Sequence, residues 1–323
     1  MSAIVNVGPG QLAMQDWPTP QPEAGQVRIR TGACAICATD LKMIGGWART
    51  GFPAIPGHEW AGTVDAVGTE VDAGLVGCRC VAENVLADGG EVGFEHPGGY
   101  GEYLVTEARN LYVLPPEFPL AVAALIEPLA VAVRASGRLR LEDKESALVF
   151  GDGPIGLLML MLLWHAGVED VVMVGGRVGR LAVARELGAA EVLNYHQMEG
   201  DLGEAVCGAC GGRFSNVIEA SGSPAAAQAS LDLVAARGRV LVLGDYDEAC
   251  ADFAWNHLLH QELELIGSCA SAEAWPEAVR LAVEGGLPLA RLVTHRFPVE
   301  QFDMGIELVR SRQSDVIKVV LEW

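Results

Sequence analysis

The sequence predicts an α/β protein in two parts, a β-rich unit followed by a doubly wound parallel sheet. Three observations carry that expectation. Residues 27–31 alternate, with Val27, Ile29 and Thr31 on one face and Arg28 and Arg30 on the other. Turn signals at Gly89-Gly90 and Pro97-Gly98-Gly99 then break this region into short strands. From residue 147 onward, short apolar runs alternate with helical patterns, as βαβ units require.

In order, residues 57–67 read as another alternating strand of the antiparallel unit, and residues 121–134 as a helix. Residues 147–150 form a buried strand, and residues 155–166 an apolar helix too short to span a membrane. A strand at 171–174 and a helix at 180–187 closed by Gly188 come next. Further buried strands are expected at 192–193, 217–218, 240–243 and 263–266. A helix at 275–284, a strand near 293–297, another helix and a last strand at 316–321 end the chain.

The 323 residues suffice for two domains with their own cores. Lys and Arg number 22 against 42 Asp and Glu, a formal charge of −20, which argues against nucleic acid and anionic membranes as partners. Half of the residues are hydrophobic, so disorder is excluded as a class. The eight cysteines are too sparse for a disulfide scaffold, and the N-terminus lacks the pattern of a signal peptide. A reduced, cytoplasmic location is expected.

Gly151-Asp152-Gly153-Pro154-Ile155-Gly156 matches G-x-G-x-x-G between a predicted strand and a predicted helix. The first glycine permits the tight turn, the second lets backbone approach a pyrophosphate, and the third lets helix and strand pack closely. The helix N-terminus adds partial positive charge for the phosphates. An ordinary strand-to-helix turn is the competing reading, and the βαβ context weighs against it. An NAD site places an acidic residue about 20 residues on, at the end of the second strand. Here that strand ends Val174-Gly175-Gly176-Arg177, with Arg180 after it and no carboxylate. Arg177 can give fork-like contacts to a 2′-phosphate, so NADP(H) is preferred over NAD(H). The alternative is a solvated Arg177 and a site that accepts both cofactors. Ser221, Gly222, Leu243 and Gly244 complete the expected cofactor contacts.

Cys37 and His58 stand 21 residues apart, a spacing that alone is only suggestive of a metal site. Their surroundings say more. Ala33-Cys34-Ala35-Ile36-Cys37-Ala38-Thr39-Asp40-Leu41 and Pro56-Gly57-His58-Glu59 resemble the medium-chain, zinc-dependent alcohol/polyol dehydrogenase family. So do Gly98-Gly99-Tyr100-Gly101-Glu102-Tyr103, Glu127-Pro128-Leu129-Ala130, the glycine-rich turn, residues 263–267 and Ile317-Lys318-Val319-Val320. The likeness covers nearly the whole chain in the right order.

That resemblance implies a GroES-like catalytic domain, residues 1–128 and 272–323, interrupted by a Rossmann domain at 129–271. It implies Cys37 and His58 as zinc ligands, with Glu59 and Glu127 sharing or exchanging the remaining ligation. For Glu59, direct ligation and a carboxylate that merely orients the site remain equally open. Glu127 before Pro-Leu resembles the sorbitol and threonine dehydrogenase branch. Thr39 matches the hydroxyl residue that contacts the substrate oxygen and starts a proton relay, since a hydroxyl both donates and accepts. Gly176, Arg177 and Tyr195 resemble the NADP-dependent secondary-alcohol members. The implied reaction moves a hydride between NADP(H) and a secondary alcohol, polyol or cyclitol-like substrate and its ketone. Zinc lowers the pKa of the bound alcohol, while the protein positions the nicotinamide. A homodimer or homotetramer is expected.

The sequence also departs from the family pattern. Residues 82–97 are short and hold no cysteine where relatives often carry four, so one catalytic zinc and no structural zinc is expected. Cys78 and Cys80 read as strand packing, and Cys207-Gly208-Ala209-Cys210 as a loop pair without metal. Lys42 stands where many relatives carry His, at the outer end of the relay. Competing functions are a zinc-free quinone or enoyl reductase and a non-catalytic nucleotide-binding protein. The joint presence of Cys37, His58, Glu59 and Glu127 speaks against both.

Overall fold

The computed structural model describes residues 1–141, 145–253, 255–311 and 315–323. β1 (Ser2–Gly8) and β2 (Gln11–Asp16) form a hairpin, and Gly10 takes the positive φ of 73° that its turn needs. β3 (Gln26–Ala35) follows, then β4 (Glu59–Val67), β5 (Arg79–Ala82), β6 (Tyr103–Glu107) and β7 (Leu111–Val113). The alternation along β3 sets its place: Val27, Ile29 and Thr31 are buried, while Arg28 reaches Asp65 at 2.7 Å. The chain then enters a parallel sheet with β8 (Ser146–Phe150), β9 (Asp170–Gly175), β10 (Glu191–Asn194), β11 (Phe214–Glu219), β12 (Val234–Val242) and β13 (Glu264–Gly267). It returns to the first sheet with β14 (Val293–Pro298) and β15 (Lys318–Glu322).

Contacts divide the chain into two units, Met1–Glu127 with Trp275–Trp323, and Pro128–Ala274. In the first unit the sheet order is β14-β15-β3-β4-β5-β7, with β6 paired to β3. Its pairings are antiparallel except β14 on β15, which run parallel, so the sheet is mixed. β15 lies against the C-terminal end of β3, opposite β4, with Leu321 facing Cys34 in register. In the second unit the order is β10-β9-β8-β11-β12-β13, all parallel. That is the strand order of a dinucleotide-binding sheet, with its switch point between β8 and β11. β8 and β9 are buried on both faces, which explains why they read as continuous apolar runs.

Some elements differ from the sequence reading. The helix expected at 121–134 is two, Leu120–Ala123 and Ile126–Leu139. Pro128 explains the break, because inside one continuous helix its ring would clash with the carbonyl four residues back. The restart puts Glu127 in a first helical turn. Together these residues are long and apolar enough to cross a membrane, yet most of the stretch is buried within the protein. Cys80 is buried in β5, but Cys78 lies outside that strand and half-buried. Cys207 and Cys210 sit in the helix Leu202–Cys210 rather than a loop, capped by Asp201 accepting from the Glu204 N–H at 3.1 Å.

Candidate metal centre and dinucleotide site

β3 ends at Ala35, and the chain turns through Cys37 into the helix Ala38–Gly45. Asp40 fastens this turn, its Oδ2 accepting from the Cys37 N–H at 2.8 Å. β4 begins at Glu59, and Gly57 (φ 99°) turns the chain just before it; a Cβ there would lie 2.6 Å from the Tyr100 ring. As a result Cys37, His58 and Glu59 each offer a ligand atom, and those atoms all lie within 4.8 Å of one another. The second oxygen of Asp40 lies 3.0 Å from His58 Nδ1. Nε2 of His58 is thereby left for the cluster, the usual arrangement when a carboxylate orients a ligating imidazole. Thr39 Oγ1 is 3.7 Å from Cys37 Sγ.

A half-buried cysteine sulfur, a buried imidazole and a buried carboxylate in one cluster form a donor set that suits zinc. The charges around it are offset in a specific way. Both oxygens of Glu59 accept from Lys318 Nζ at the start of β15, and both side chains are almost fully buried. Burial alone would push the Lys318 ammonium down, but the carboxylate of Glu59 and the nearby Cys37 outweigh it and hold it above the ordinary range. Burial likewise disfavours a charged His58, but Asp40 and Cys37 raise it above the ordinary imidazole value. Glu127 is pushed up to about 7, first by burial and further by Glu59 and Glu91, against the pull of His58 and Lys318. The tight three-residue group does not include Glu127, though it feels the charge of His58, Glu59 and Lys318.

In the second unit, Gly151 (φ 107°) ends β8, and the helix Pro154–His165 opens with Gly153 as its N-cap. A Cβ at Gly156 would lie 1.9 Å from the Gly151 carbonyl oxygen, so only glycine allows this approach of helix and strand. Ile155 lies in the first turn of that helix. Gly175 and Gly176 close β9; a Cβ on Gly175 would meet Asp152, and one on Gly176 the ring of Tyr195 at 2.6 Å. Leu243 and Gly244 follow β12, their N–H groups donating to the Glu219 carbonyl at 2.8 and 3.0 Å. Gly222 (φ 70°) lies against the same turn.

Several residues in these sites went unassigned in the sequence reading. Asp152, a filler position of the glycine motif, is buried, and its Oδ2 accepts from the N–H groups of Gly176 and Arg177 at 2.9 and 2.7 Å. Its Oδ1 lies 3.3 Å from Arg177 Nη1 and 3.8 Å from Arg180 Nη1. A carboxylate therefore does stand at the end of β9, delivered by the glycine-rich turn and engaged by two arginines. Glu219, at the end of β11, accepts from the Ser221 N–H at 2.8 Å and from the hydroxyls of Ser221 and Tyr246. The available signal was a charge at the end of an apolar run, Glu219 after Val217-Ile218 and Lys318 before Val319-Val320-Leu321.

Residues 154–284 match the family described as zinc-binding dehydrogenase, and residues 23–116 the alcohol dehydrogenase GroES-like domain. The chain is 32% identical to an L-threonine 3-dehydrogenase of Anaeromyxobacter sp. (strain Fw109-5), over 97% of this chain and 96% of that protein. It is 29% identical to another of that name from Pectobacterium carotovorum subsp. carotovorum (strain PC1), covering 100% of this chain and 99% of the relative. Among solved structures, a short chain alcohol dehydrogenase (rspB) from E. coli CFT073 complexed with NADH superimposes with a TM-score of 0.93 at 26% identity, over 100% of this chain and 99% of that one. A 2R,3R-butanediol dehydrogenase from Bacillus subtilis gives 0.91 at 25% identity, with the same coverage.

Proposed function

Because the chain belongs to the medium-chain zinc-dependent alcohol/polyol dehydrogenase family, and is an NAD(P)-dependent dehydrogenase acting on CH–OH groups, we propose that it interconverts a secondary alcohol and its ketone. The substrate class is a secondary alcohol, polyol or cyclitol-like molecule, with NADP(H) as the preferred cofactor and one catalytic zinc. L-Threonine and 2,3-butanediol, named in the relatives, both carry a secondary hydroxyl. The observation that carries the reading is the cluster of Cys37, His58 and Glu59 within 4.8 Å, with His58 Nδ1 held by Asp40.

Cys37, His58, Glu59 and Glu127 would hold the zinc, which when bound supplies Lewis acidity that eases loss of the substrate's hydroxyl proton. Asp40 keeps the imidazole in the orientation that presents Nε2. Lys318 balances the Glu59 carboxylate, so the cluster is not left with uncompensated buried charge. Thr39 accepts the substrate's proton and donates its own to solvent water, a role its place beside Cys37 permits. Glu127, buried and within reach of the charges of His58, Glu59 and Lys318, would complete the ligation as a carboxylate once the ion is bound.

In the dinucleotide half, Gly151 makes the turn, Gly156 lets the helix pack on the strand, and Gly153 leaves room for the pyrophosphate at the N-terminus of Pro154–His165. Arg177 and Arg180 face a 2′-phosphate, with Asp152 setting the turn that carries them. Gly175, Gly176, Tyr195, Ser221, Gly222, Leu243 and Gly244 line the remaining contacts. A homodimer or homotetramer in the cytoplasm completes the reading; β13 is the outer strand of its sheet, and Trp255, Leu259 and Leu265 are exposed near that edge.

A screen of secondary alcohols, polyols, sugars and amino alcohols with the zinc-loaded protein tests this directly. Reduced cofactor should form with at least one of these classes, and at lower concentrations of NADP⁺ than of NAD⁺. No reduced cofactor from any class would reject the reading.

A further inference from the structure

His58 is touched by more than its cluster. The ring of Phe94 lies 4.8 Å from the imidazole, tilted by 39°. The two backbones also run close: a Cβ on Gly93 (φ 88°) would sit 2.6 Å from the His58 backbone nitrogen, so only glycine allows this approach. This segment is built from turns. Val85 bridges Glu91, Val92 bridges His96, and neither pairing extends into a ladder. Such a loop has few ladder bonds to hold it against a ligand.

The turn is closed by its own backbone, the Phe94 and His96 N–H groups both donating to the Glu91 carbonyl at 3.1 Å, and one arginine adds a side-chain restraint. Arg49 donates from Nε to Glu95 Oε1 at 2.6 Å, and from Nη2 to Glu95 Oε2 at 3.0 Å and Glu91 Oε1 at 2.6 Å. The Glu91 backbone N–H also donates to Glu95 Oε2 at 3.1 Å, so the Glu95 carboxylate is tied to the backbone of the turn as well. The guanidinium carbon lies 4.4 Å from the Phe94 ring centre and 5.8 Å from that of Trp47. Exposed ion pairs taken singly contribute little. A guanidinium that forks onto one carboxylate, bonds a second and covers an aromatic face is a different case, with planar geometry matched on every side. Arg49's hydrogen bonds hold the Glu95 carboxyl below the usual range, so it stays ionised through neutral and mildly acidic pH.

We infer that Arg49 is a positioning residue for the metal cluster: by clamping Glu91 and Glu95 and lying over Phe94, it keeps that ring on His58 and slows release of the ion. Without Arg49 the two carboxylates lose their shared partner and Phe94 loses the cation over its face, so the ring is freer to leave the imidazole and admit water. This inference rests on the zinc reading of Cys37, His58 and Glu59.

The test uses the zinc-loaded full-length protein and its Arg49→Ala, Arg49→Lys and Phe94→Ala variants. Arg28→Ala serves as control, because it breaks another ion pair of the same unit, Arg28 with Asp65. Zinc transfer to an excess of a chromophoric chelator is timed well below the unfolding temperature, and the cobalt(II)-substituted proteins are compared by their visible spectra. Arg49→Ala and Phe94→Ala should release zinc roughly 3- to 10-fold faster and alter the cobalt spectrum, somewhat less than the about 10- to 100-fold effect of losing a group bonded directly to a ligand. Arg49→Lys, which keeps the charge but loses the fork, should fall between them and the parent, and Arg28→Ala should match the parent. Release within about twofold of the parent in both Arg49→Ala and Phe94→Ala overturns the inference. Equal acceleration by Arg28→Ala also overturns it, since general loosening would then suffice. A parent protein that takes up no zinc rejects the metal reading itself, and the inference with it.

Discussion

Replacing Lys318 by methionine isolates the buried ion pair on which the metal cluster rests. The Lys318 and Glu59 side chains are 3% and 2% exposed, so the substitution strands a carboxylate where water cannot reach it. Removing one partner of such a pair costs about 3–5 kcal/mol, because the remaining charge stays desolvated. At about 2 °C per kcal/mol for a chain of this size, the unfolding midpoint of metal-free Lys318→Met should fall by roughly 6–10 °C. Since the Lys318 value is raised in the folded protein, its contribution is complete below the unfolded value of about 10.4 and is lost only at higher pH. In the parent that contribution is therefore constant from about pH 6 to 9. The double variant Glu59→Gln/Lys318→Met leaves no charge behind and should regain more than half of the midpoint. Thermal unfolding of the metal-free proteins, followed by circular dichroism, provides the measurement. A fall of less than about 2 °C, or a double variant no more stable than Lys318→Met, would refute the reasoning.

Other outcomes follow from the same geometry. Thr39→Val keeps the volume and removes the hydroxyl; bound zinc should be unchanged while turnover falls about 100-fold, the size of one proton-transfer contribution. Arg177→Ala should weaken NADPH by roughly tenfold and leave NADH nearly unchanged, from loss of a charged hydrogen bond of about 1.5 kcal/mol; equal weakening of both in titrations would remove Arg177 from the 2′-phosphate contact. Burial raises the Cys210 thiol to about 11 and the Cys80 thiol to about 12. At pH 8 only about one Cys210 in 1000 is thiolate, so iodoacetamide mapped by mass spectrometry should modify exposed Cys250 and Cys269 well before either.

How much of this was legible in sequence depends on how far apart the partners lie. The strand-to-helix glycine turn is a local feature; its residues 151–156 state their own geometry, and the structure builds the parallel sheet around it. Cys37 stands out beside Asp40, and His58 beside Glu59, because each pair lies within one short motif that a single turn can present. Lys318 is different. It meets Glu59 across 259 residues of chain, through the pairing of β15 with β3, and no local pattern encodes that register. Asp152 was hidden another way: its position in the glycine motif tolerates any residue, so its grip on the β9 turn appears only once Gly175 lets the carboxylate approach. Arg49 and Phe94 are ordinary loop residues until the fold sets one over the other.

The most direct test of the account is the metal content of protein purified without chelator, measured by elemental analysis for the parent, Cys37→Ser and His58→Ala. The account predicts about one zinc per chain in the parent, and little in either variant once a ligand is lost. A parent without zinc, or variants that retain it in full, would contradict the assignment of Cys37, His58 and Glu59 as the centre of the chemistry.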